Sequence, residues 1–465
     1  MESFKRLINL GFIAICIAME AAIFGFHWLN HIQYSLAEGL VRRYYFWGHV
    51  MEITIYTVIL MAFSKMYGGI RLGYLKNAEI IFSQMFATLV ADIIIYGECS
   101  MMALQLFKPN YFLYMLGEQF VTVLIYIPIA NTVFRLIFPP RKLLLIYGDR
   151  SPDDLIAKFE TRKDKYRITK KVPISVGYEN LHKEIRNSYE SGECNAVVFG
   201  DIPVTVRKPL MKYCYAKSIR FYSLPKICDV IISGSEEIHV FDTPMFLTRE
   251  YSLTMEERFV KRSIDIICAL ILIIVTSPLM LLTALAVWAY DHGPVFYKQT
   301  RCTIEMKRFE ILKFRSMRVD AEKDGVARLS QKKDKRVTPV GRFIRKCRLD
   351  ELPQLFNILK GDMSFIGPRP ERPEIIKQYI ETMPEFAYRT KVKAGLAGYA
   401  QVYGKYNTTP YDKLKLDLAY IENYSLLLDL KLMLLTLKVL LWPESTEGVD
   451  DNQITAMKNE TKDKE

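Results

Sequence analysis

Two adjacent carboxylates in a basic setting are the residues with the clearest capacity for chemistry. Asp350 and Glu351 lie in the stretch RKCRLDELPQLFNILKGDMSFIGPRP (345–370), directly after a run of basic side chains. Neighbouring residues in a helix point about 100° apart, so the two carboxylates need not share a ligand. An aspartate can attack phosphorus as a covalent nucleophile, while a second carboxylate holds a metal ion or handles a proton. Nearby arginines lower a carboxylate pKa and neutralise charge on a phosphoryl group.

The same pair has a plainer interpretation. A surface Asp-Glu in a helix turn, paired with Arg345 or Arg348, would look the same in sequence. The residues of the stretch do not decide between the two. In the catalytic case magnesium is the expected ion, because it favours carboxylate and phosphate oxygens.

The segment just before this stretch is strongly basic. Residues 298–346 include sixteen Lys or Arg against six Asp or Glu. Such an excess attracts phosphates in a nucleic acid, at a lipid surface or in a nucleotide substrate. The sequence carries no zinc-finger or RNP-like signature, so we expect no nucleic-acid partner. Within the segment, KFRSM (313–317) places Lys313 and Arg315 on one face of a strand.

Four long apolar segments near the N-terminus predict a membrane bundle. A crossing helix needs roughly 20 residues, and the segments that reach this length are 7–29, 45–67, 80–107 and 112–138. Basic residues such as Lys5, Arg71 and Arg141 flank them mainly on one side, which the positive-inside rule places in the cytoplasm. Everything after residue 140 therefore starts at the cytoplasmic face.

Five acidic residues fall within these segments: Glu20, Glu52, Asp92, Glu98 and Glu118. Ionisable groups at that depth can mark a transport path. The segments show no pair of broken helices and no internal repeat of the transporter kind, so we favour side chains that face the bundle or lie near an interface. The eight cysteines of the 465-residue chain include no CxxC pair, which argues against a zinc site or a disulfide framework.

Residues 141–250 read as a soluble α/β unit. KLLLIYG (142–148), NAVVFGD (195–201) and SIRFYSLP (218–225) are strand patterns separated by charged helical stretches, which predicts a parallel, Rossmann-like sheet. A dinucleotide site needs a G-x-G-x-x-G turn after the first strand. The turn here is GDRSPD, with Gly148 alone, so we expect a degenerate domain that acts as a scaffold or regulatory module.

A further apolar run, 266–289, is long enough to cross a membrane but has two unusual features. Ser277-Pro278 lies in its middle, where proline removes a backbone donor. Both flanks are basic, with Lys261 and Arg262 before the run and Lys298 and Arg301 after it. A crossing helix normally has a basic flank on one side only. A kinked crossing helix and a helix that enters, bends and returns both remain open on these grounds.

The ordered motifs resemble a known family. KRSID, the Ser-Pro in an apolar run, GPVFYKQTR, KFRSM, VGRFIRKCRLDELPQLFNILKGDMSFIGPRPE and GYAQVYGK are together similar to the bacterial sugar transferases. These are polyprenyl-phosphate glycosyl-1-phosphate transferases, the monotopic phosphoglycosyl transferase superfamily. The resemblance covers about 261–441, and the upstream bundle and α/β unit match its large, multi-domain branch.

The resemblance implies a reaction. Such enzymes transfer a sugar-1-phosphate from a UDP-sugar to undecaprenyl phosphate and release UMP, which starts the assembly of an exopolysaccharide, a capsule or another surface glycan. Asp350 would be the nucleophile on the β-phosphorus and form an aspartyl-phosphosugar intermediate, and Glu351 would be a Mg²⁺ ligand. Arg369, between Pro368 and Pro370, would meet the negative charge of the substrate.

The resemblance also implies supporting roles for other residues. Candidates at the substrate site are Lys313, Arg315, Arg301 and Arg348. Ser277 and Pro278 would break a re-entrant helix at about 263–290, which Lys261, Arg262 and Asp265 would anchor at the interface. Two positions depart from the usual pattern: Thr303 stands where glycine is common, and Ala394 where proline is typical.

The sequence thus predicts a membrane α-helical bundle plus α/β architecture. We expect a bundle at 1–140, the Rossmann-like domain at 141–250, a catalytic domain at 255–445 and a disordered tail at 446–465. The Leu-rich segment 426–442 would be an interfacial amphipathic helix or an ordinary packed one.

We expect the protein to lie in the bacterial inner membrane, with its catalytic domain on the cytoplasmic face. The bundle and the α/β domain can also support a homodimer. Alternatives are a glycosyltransferase that releases UDP and an inactive membrane scaffold.

Overall fold

The computed structural model describes residues 2–37, 45–148, 152–248, 253–319, 336–404 and 408–441. The chain forms two compact units, Met1–Leu224 and Pro225–Glu465. The division falls before the boundary near residue 250 that the sequence predicted. The predicted disordered tail at 446–465 lies outside the described residues.

The first unit begins with a bundle of long apolar helices. The N-terminal helix α1 (Glu2–His27) continues through a π turn (Trp28–Ile32) into α2 (Gln33–Ala37). The other helices are α3 (Phe46–Tyr67), α4 (Asn77–Met102) and α5 (Asn110–Ile137). Each predicted segment lies mainly in one helix, and each of these helices is long and apolar enough to cross a membrane. The third predicted segment, 80–107, runs past the end of α4 at Met102. The first span extends to Leu36, beyond the predicted end at residue 29.

Polar side chains inside this bundle bond to one another. Glu20 is fully buried and accepts hydrogen bonds from Gln84 Nε2, at 2.8 Å, and from Thr88. Tyr56 Oη donates to Asp92 Oδ1 at 3.2 Å. In an apolar solvent a polar group must find its partner within the protein, so these contacts pin the helices together, as the bundle-facing interpretation of the acids requires.

The α/β part of the first unit follows directly. Its elements are β1 (Arg141–Tyr147), α6 (Asp153–Glu160), β2 (Tyr166–Pro173), α7 (Tyr178–Glu190), β3 (Ala196–Phe199), α8 (Val204–Ala216) and β4 (Phe221–Ser223). The strands are all parallel, in the order β2-β1-β3-β4. The predicted parallel sheet is therefore confirmed. The order reverses direction between β1 and β3, as in flavodoxin-like sheets.

The lone Gly148 has a packing role in this sheet. A Cβ on Gly148 would lie 2.4 Å from the carbonyl oxygen of Asp201, so only glycine lets the chain after β1 pass this close to the chain after β3. The glycine is required whether or not a nucleotide binds. Residues 149–151 of the GDRSPD turn lie outside the described residues.

The second unit starts with α9 (Ile227–Ser233) and a hairpin of β5 (Glu236–Val240) and β6 (Thr243–Leu247). Its remaining helices are α10 (Met255–Asp291), α11 (Pro339–Lys346), α12 (Gln354–Lys360), α13 (Pro373–Thr382), α14 (Tyr399–Tyr403), α15 (Pro410–Glu422) and α16 (Leu426–Leu441). Its remaining strands are β7 (Phe296–Cys302), β8 (Arg308–Phe314), β9 (Ser364–Ile366) and β10 (Gly395–Ala397). Strands β7 and β8 are antiparallel, and β9 and β10 are parallel.

Helix α10 is the fifth helix long and apolar enough to cross a membrane among the described residues. It is one helix of 37 residues with Pro278 inside it, and Ser277 Oγ donates to the carbonyl of Ile274 at 2.9 Å. Thr254 caps its start: its hydroxyl accepts from Glu257 N, and the Glu257 carboxylate accepts from Thr254 N. The side chains around the proline are mostly exposed.

Both ends of α10 contact the core of the second unit. Near its start, Asp265 accepts hydrogen bonds from Ser364 Oγ and Phe365 N at 3.1 Å each, on β9. Near its end, Met280 and Val287 share an apolar cluster with side chains of β8 and α11. The middle of the helix is therefore tethered on both sides to one compact unit.

Helix α16 packs against the start of α10. Buried Lys261 pairs with Asp429 of α16 and donates to the carbonyl of Ile366 at 3.0 Å. Tyr420 Oη donates to the other Asp429 oxygen at 2.7 Å. Leu432 is fully buried in the core, whereas other leucines of the helix are exposed. The helix is thus packed along one side and apolar on its open side.

Candidate active site

The acidic pair lies in a short 3₁₀ turn, Leu349–Glu351, between α11 and α12. Arg348 starts this turn with φ +57°, a left-handed conformation that L residues rarely adopt. Pro353 follows the turn and precedes α12. The tight turn separates the two carboxylates, so that each has different neighbours, as the sequence allowed.

Glu351 is held by cations from two other elements. Lys313 Nζ, near the end of β8, and Arg369 Nη2, after β9, each lie 2.9 Å from the same oxygen, Oε1. Arg348 Nη1 is 4.0 Å from Oε2. Burial alone would raise the pKa of Glu351, but these three cations outweigh it and hold the pKa well below its usual range. Glu351 is therefore ionised at neutral pH.

Asp350 is in the opposite situation. It is buried, and its Oδ1 has no hydrogen-bond partner among the described residues. Burial first, and the neighbouring charge of Glu351 second, raise the pKa of Asp350 against the pull of Lys313, Arg345 and Arg348. The surface-pair interpretation is wrong, because both carboxylates are largely buried. The expectation that basic neighbours lower the pKa holds for Glu351 only.

The two cations on Glu351 differ in their own titration. Burial lowers the pKa of Lys313, despite the opposing charge of Glu351. The charge of Glu351 raises the pKa of Arg369. Lys313 is therefore the more readily neutralised of the two, and Arg369 is a permanent positive charge beside the pair.

Backbone hydrogen bonds hold the Pro368-Arg369-Pro370 segment in place. The carbonyl of Pro368 accepts from Gly395 N at 3.0 Å, and that of Pro370 accepts from Arg301 Nη1 at 3.2 Å. Arg389 Nη2 donates to the carbonyl of Arg369 at 3.0 Å. A residue whose backbone is fixed on both sides presents its guanidinium at a defined place.

A second layer of charges supports these contacts and was missed from the sequence. Glu371 faces Lys413, Arg389 and Arg301; burial would raise its pKa, but these cations lower it to about 2. Arg389 also pairs with buried Asp417 at 2.8 Å. Because Glu371 directly follows the Pro-Arg-Pro segment, its position could have identified it as a candidate from the sequence. Nothing in the local sequence marks Asp417, which lies on a distant helix.

Arg301 contacts Glu371 of this second layer and does not pair with Glu351 among the described contacts. It lies 3.6 Å from Glu371, and burial lowers its pKa to about 10, with Glu371 opposing and Arg369 and Arg372 adding to the shift. Arg315 lies apart from the acidic pair: it pairs with Asp291 at the end of α10. Lys313 and Arg315 therefore serve two different contacts, although the sequence placed them on one strand face.

The predicted anchor residues Lys261, Arg262 and Asp265 all lie on the first part of α10 and bond to the core. Arg262 donates to the carbonyls of Ile358 and Leu359 at the end of α12, at 2.6 Å each. Helix α12 follows the turn of Asp350 and Glu351 directly, so this contact ties the apolar helix to that turn. Ser277 and Pro278 lie on α10 away from these contacts.

Thr303 and Ala394, the two residues that depart from the family pattern, contact each other. Thr303 Oγ1 accepts a hydrogen bond from Ala394 N at 3.1 Å and donates to the carbonyl of Asp362 at 2.9 Å. Proline at 394 would have no N–H to donate, and glycine at 303 would have no hydroxyl to accept it. The two residues are thus physically matched, and the contact lies beside the strand β10 rather than at the acidic pair.

Comparison with known proteins decides the family. The family model for bacterial sugar transferases matches residues 256–443. The chain is 39% identical over 196 residues to a sugar transferase of Bacillus subtilis named as uncharacterized, and covers 93% of that protein and 42% of itself. The chain belongs to the bacterial sugar transferase family.

Relatives in this family have named activities. The chain is 45% identical over 186 residues to the UDP-N-acetylgalactosamine-undecaprenyl-phosphate N-acetylgalactosaminephosphotransferase of Aeromonas hydrophila, over 39% of the chain and 44% of that protein. It is 40% identical over 186 residues to the UDP-glucose:undecaprenyl-phosphate glucose-1-phosphate transferase of Caulobacter vibrioides, over 39% of the chain and 69% of that protein. The match thus spans less than half the length of the Aeromonas relative.

The opposite environments of the two carboxylates predict opposite effects on stability. Because burial raises the pKa of Asp350, its ionised form destabilises the fold at neutral pH, and Asp350→Asn should raise the melting temperature by about 2–4 °C. The gain should shrink as the pH falls through the raised pKa of Asp350, since the wild-type carboxyl then becomes neutral as well. Thermal unfolding of the purified protein across pH measures both effects.

Glu351→Gln is the matched control. It leaves Lys313 and Arg369 without their charge partner and should cost about 3–5 kcal/mol. Equal destabilisation by both substitutions would contradict the assignment of the two environments.

Proposed function

We propose that this protein transfers a sugar-1-phosphate from a UDP-sugar to undecaprenyl phosphate and releases UMP. One observation carries the proposal. The charge of Glu351 is offset by Lys313 and Arg369, whereas Asp350 is buried and one of its oxygens has no partner among the described residues. A nucleophile needs that unpaired oxygen, and a phosphoryl group needs adjacent cations. The named activities of the Aeromonas and Caulobacter relatives agree with it.

The reaction has two displacements at one phosphorus. The Asp350 carboxylate attacks the β-phosphorus, the bond from that phosphorus to the bridging oxygen breaks, and UMP leaves with the electron pair. An oxygen of undecaprenyl phosphate then attacks the same phosphorus, and the bond to Asp350 breaks and restores the carboxylate. The product is a lipid diphosphate that carries the sugar. Glu351 is a poor nucleophile here, because two cations bind one of its oxygens.

The cations have distinct parts in this scheme. Arg369 and Lys313 lie on the acidic pair and face the charge that develops on the transferred group. Binding of the diphosphate would draw them partly away from Glu351. Arg348 in its left-handed turn adds a third positive charge on the other side.

Glu351 keeps one oxygen that could bind the Mg²⁺ expected from the sequence. No cluster of three His, Cys, Asp or Glu that could hold a metal occurs among the described residues. Mg²⁺ usually binds one or two carboxylates plus phosphates of the substrate, and both close cations of Glu351 lie on Oε1, so Oε2 can serve as that ligand. Glu351 would hold the ion there, and the ion would supply positive charge beside the phosphates of the substrate.

We place the catalytic unit on the cytoplasmic face of the inner membrane, with α10 as a re-entrant helix. Fourteen residues separate Asp265 from Met280, both of which contact the core. As a helix these residues measure about 21 Å, less than the roughly 30 Å of a hydrocarbon core. The stretch between the two core contacts is therefore too short to cross, but it can enter one leaflet, where a lipid phosphate meets a soluble nucleotide. Bending at Pro278 would return the chain to the same side.

Labelling tests this arrangement. In a background with the exposed cysteines Cys228 and Cys347 replaced by serine, Glu256→Cys and Lys298→Cys each add one exposed thiol, on one or the other flank of α10, and the background without either gives the labelling of the remaining cysteines. Both should react with a membrane-impermeant maleimide in inside-out vesicles, and neither in right-side-out vesicles. Reaction of the two thiols from opposite sides would show that the helix crosses.

This activity would be the initiating step of a surface glycan, such as an exopolysaccharide or a capsule. A glycosyltransferase that moves only the sugar would release UDP, and an inactive scaffold would release nothing. Released nucleotide therefore separates the three functions.

The full-length protein should release UMP when it is mixed with undecaprenyl phosphate, Mg²⁺ and one of a panel of UDP-sugars. Asp350→Asn should reduce release by at least about 10³-fold. The exposed Glu305→Gln, in the turn between β7 and β8, is the matched control and should keep full activity. Release of UDP, or full activity of Asp350→Asn, would overturn the proposal.

A further inference from the structure

Strand β7 carries a row of polar side chains that the reaction scheme does not use. Tyr297, Gln299 and Arg301 alternate along the strand and therefore share one face. Gln299 Nε2 donates to Tyr297 Oη at 3.0 Å, and Arg301 Nη2 donates to Gln299 Oε1 at 2.6 Å. The three side chains form a continuous hydrogen-bonded ladder.

The ladder fixes the orientation of the Gln299 carboxamide. Arginine can only donate hydrogen bonds, so the atom facing Arg301 must be the oxygen. Within the ladder, Nε2 of Gln299 donates one hydrogen bond and Oε1 accepts one. One N–H donor and one oxygen lone pair of Gln299 remain without a partner among the described residues.

The ladder lies on the same face of the hairpin as the active-site lysine. Tyr297 is directly opposite Lys313, which contacts Glu351. Gln299 lies two residues further along, about 7 Å from that pair. At the far end, Arg301 donates to the carbonyl of Pro370, next to Arg369. The carboxamide is thus fixed beside the cations of the site, but away from the reacting carboxylates.

We propose that the Gln299 carboxamide recognises the uracil base of the donor nucleotide. The inference rests on the proposed function, which makes a uridine nucleotide the donor. Uracil presents an N3–H donor flanked by two carbonyl acceptors. The remaining oxygen lone pair and N–H of Gln299 match one donor and one adjacent acceptor of that edge.

The uracil base is a better candidate than the transferred sugar for the group that Gln299 binds. The relatives named above act on different sugars, N-acetylgalactosamine and glucose, but both names give a UDP donor. A site built from hydrogen bonds also discriminates strongly against a base that lacks the matching groups.

The first experiment measures binding of UMP and N3-methyl-UMP to the full-length protein by calorimetry, because neither ligand contains the transferred sugar. The wild type should bind UMP more tightly than N3-methyl-UMP, since the methyl group replaces the N3–H. Gln299→Ala should weaken UMP binding by about 10- to 100-fold and N3-methyl-UMP binding much less. Gln299→Glu keeps the acceptor but loses the donor, so it should bind UMP more weakly than the wild type does. Thr300→Ala, exposed on the opposite face of β7, is the matched control and should bind as the wild type does.

The second measurement is UMP release from the preferred UDP-sugar. Gln299→Ala should raise KM with little change in kcat, since the base is bound equally in the ground and transition states. Unchanged UMP affinity in both Gln299 variants would overturn the inference, and a raised KM in that case would assign the ladder to the sugar. If the wild type releases no UMP from any donor yet binds it through Gln299, the proposed function fails and the base-recognition site stands.

Discussion

The ion pair of Glu351 with Lys313 and Arg369 is the interaction on which the rest of the site depends. It joins three separate elements, since the turn before α12, the end of β8 and the segment after β9 each supply one partner. Charges brought together in a partly dry site need partners of opposite sign, and here one carboxylate pairs with two cations. The adjacent Asp350 then remains the unpaired one. The asymmetry between neighbouring residues arises from their different partners, not from their chemistry.

The supporting structure keeps these partners in place from two directions. The layer around Glu371, Arg389 and Asp417 fixes the backbone that carries Arg369. Helix α10 approaches from the apolar side, with Arg262 on the end of α12 and Asp265 on β9. The helix that would meet the lipid is therefore bonded to α12 and β9, the elements next to Asp350 and Arg369. This coupling suits a reaction between a lipid phosphate and a soluble nucleotide.

Much of this was open to prediction from the sequence, for physical reasons. Long apolar segments and buried strands leave periodic patterns, so the bundle and the parallel sheet were predictable; the edge strand β2, with mostly half-exposed residues, was not identified. Asp350, Glu351 and Arg369 stood out because they cluster within one stretch. The partner of Arg389 could not be found this way, because Asp417 comes from a distant helix. The separate contacts of Lys313 and Arg315 depend on where β8 ends, which alternation alone does not tell. The match between Thr303 and Ala394 likewise required coordinates, since two departures 91 residues apart become one hydrogen bond.

We propose that Asp350 is the nucleophile because the charge of Glu351 is offset by Lys313 and Arg369. A reaction without the lipid acceptor tests this. The full-length protein is mixed with its UDP-sugar, labelled at the β-phosphorus, and is then quenched and denatured. The account predicts up to one label and one released UMP per chain, a protein bond cleaved by hydroxylamine as expected for an acyl phosphate, and no label on Asp350→Asn. Absence of protein-bound label from an enzyme that transfers at full rate once lipid is added would contradict it.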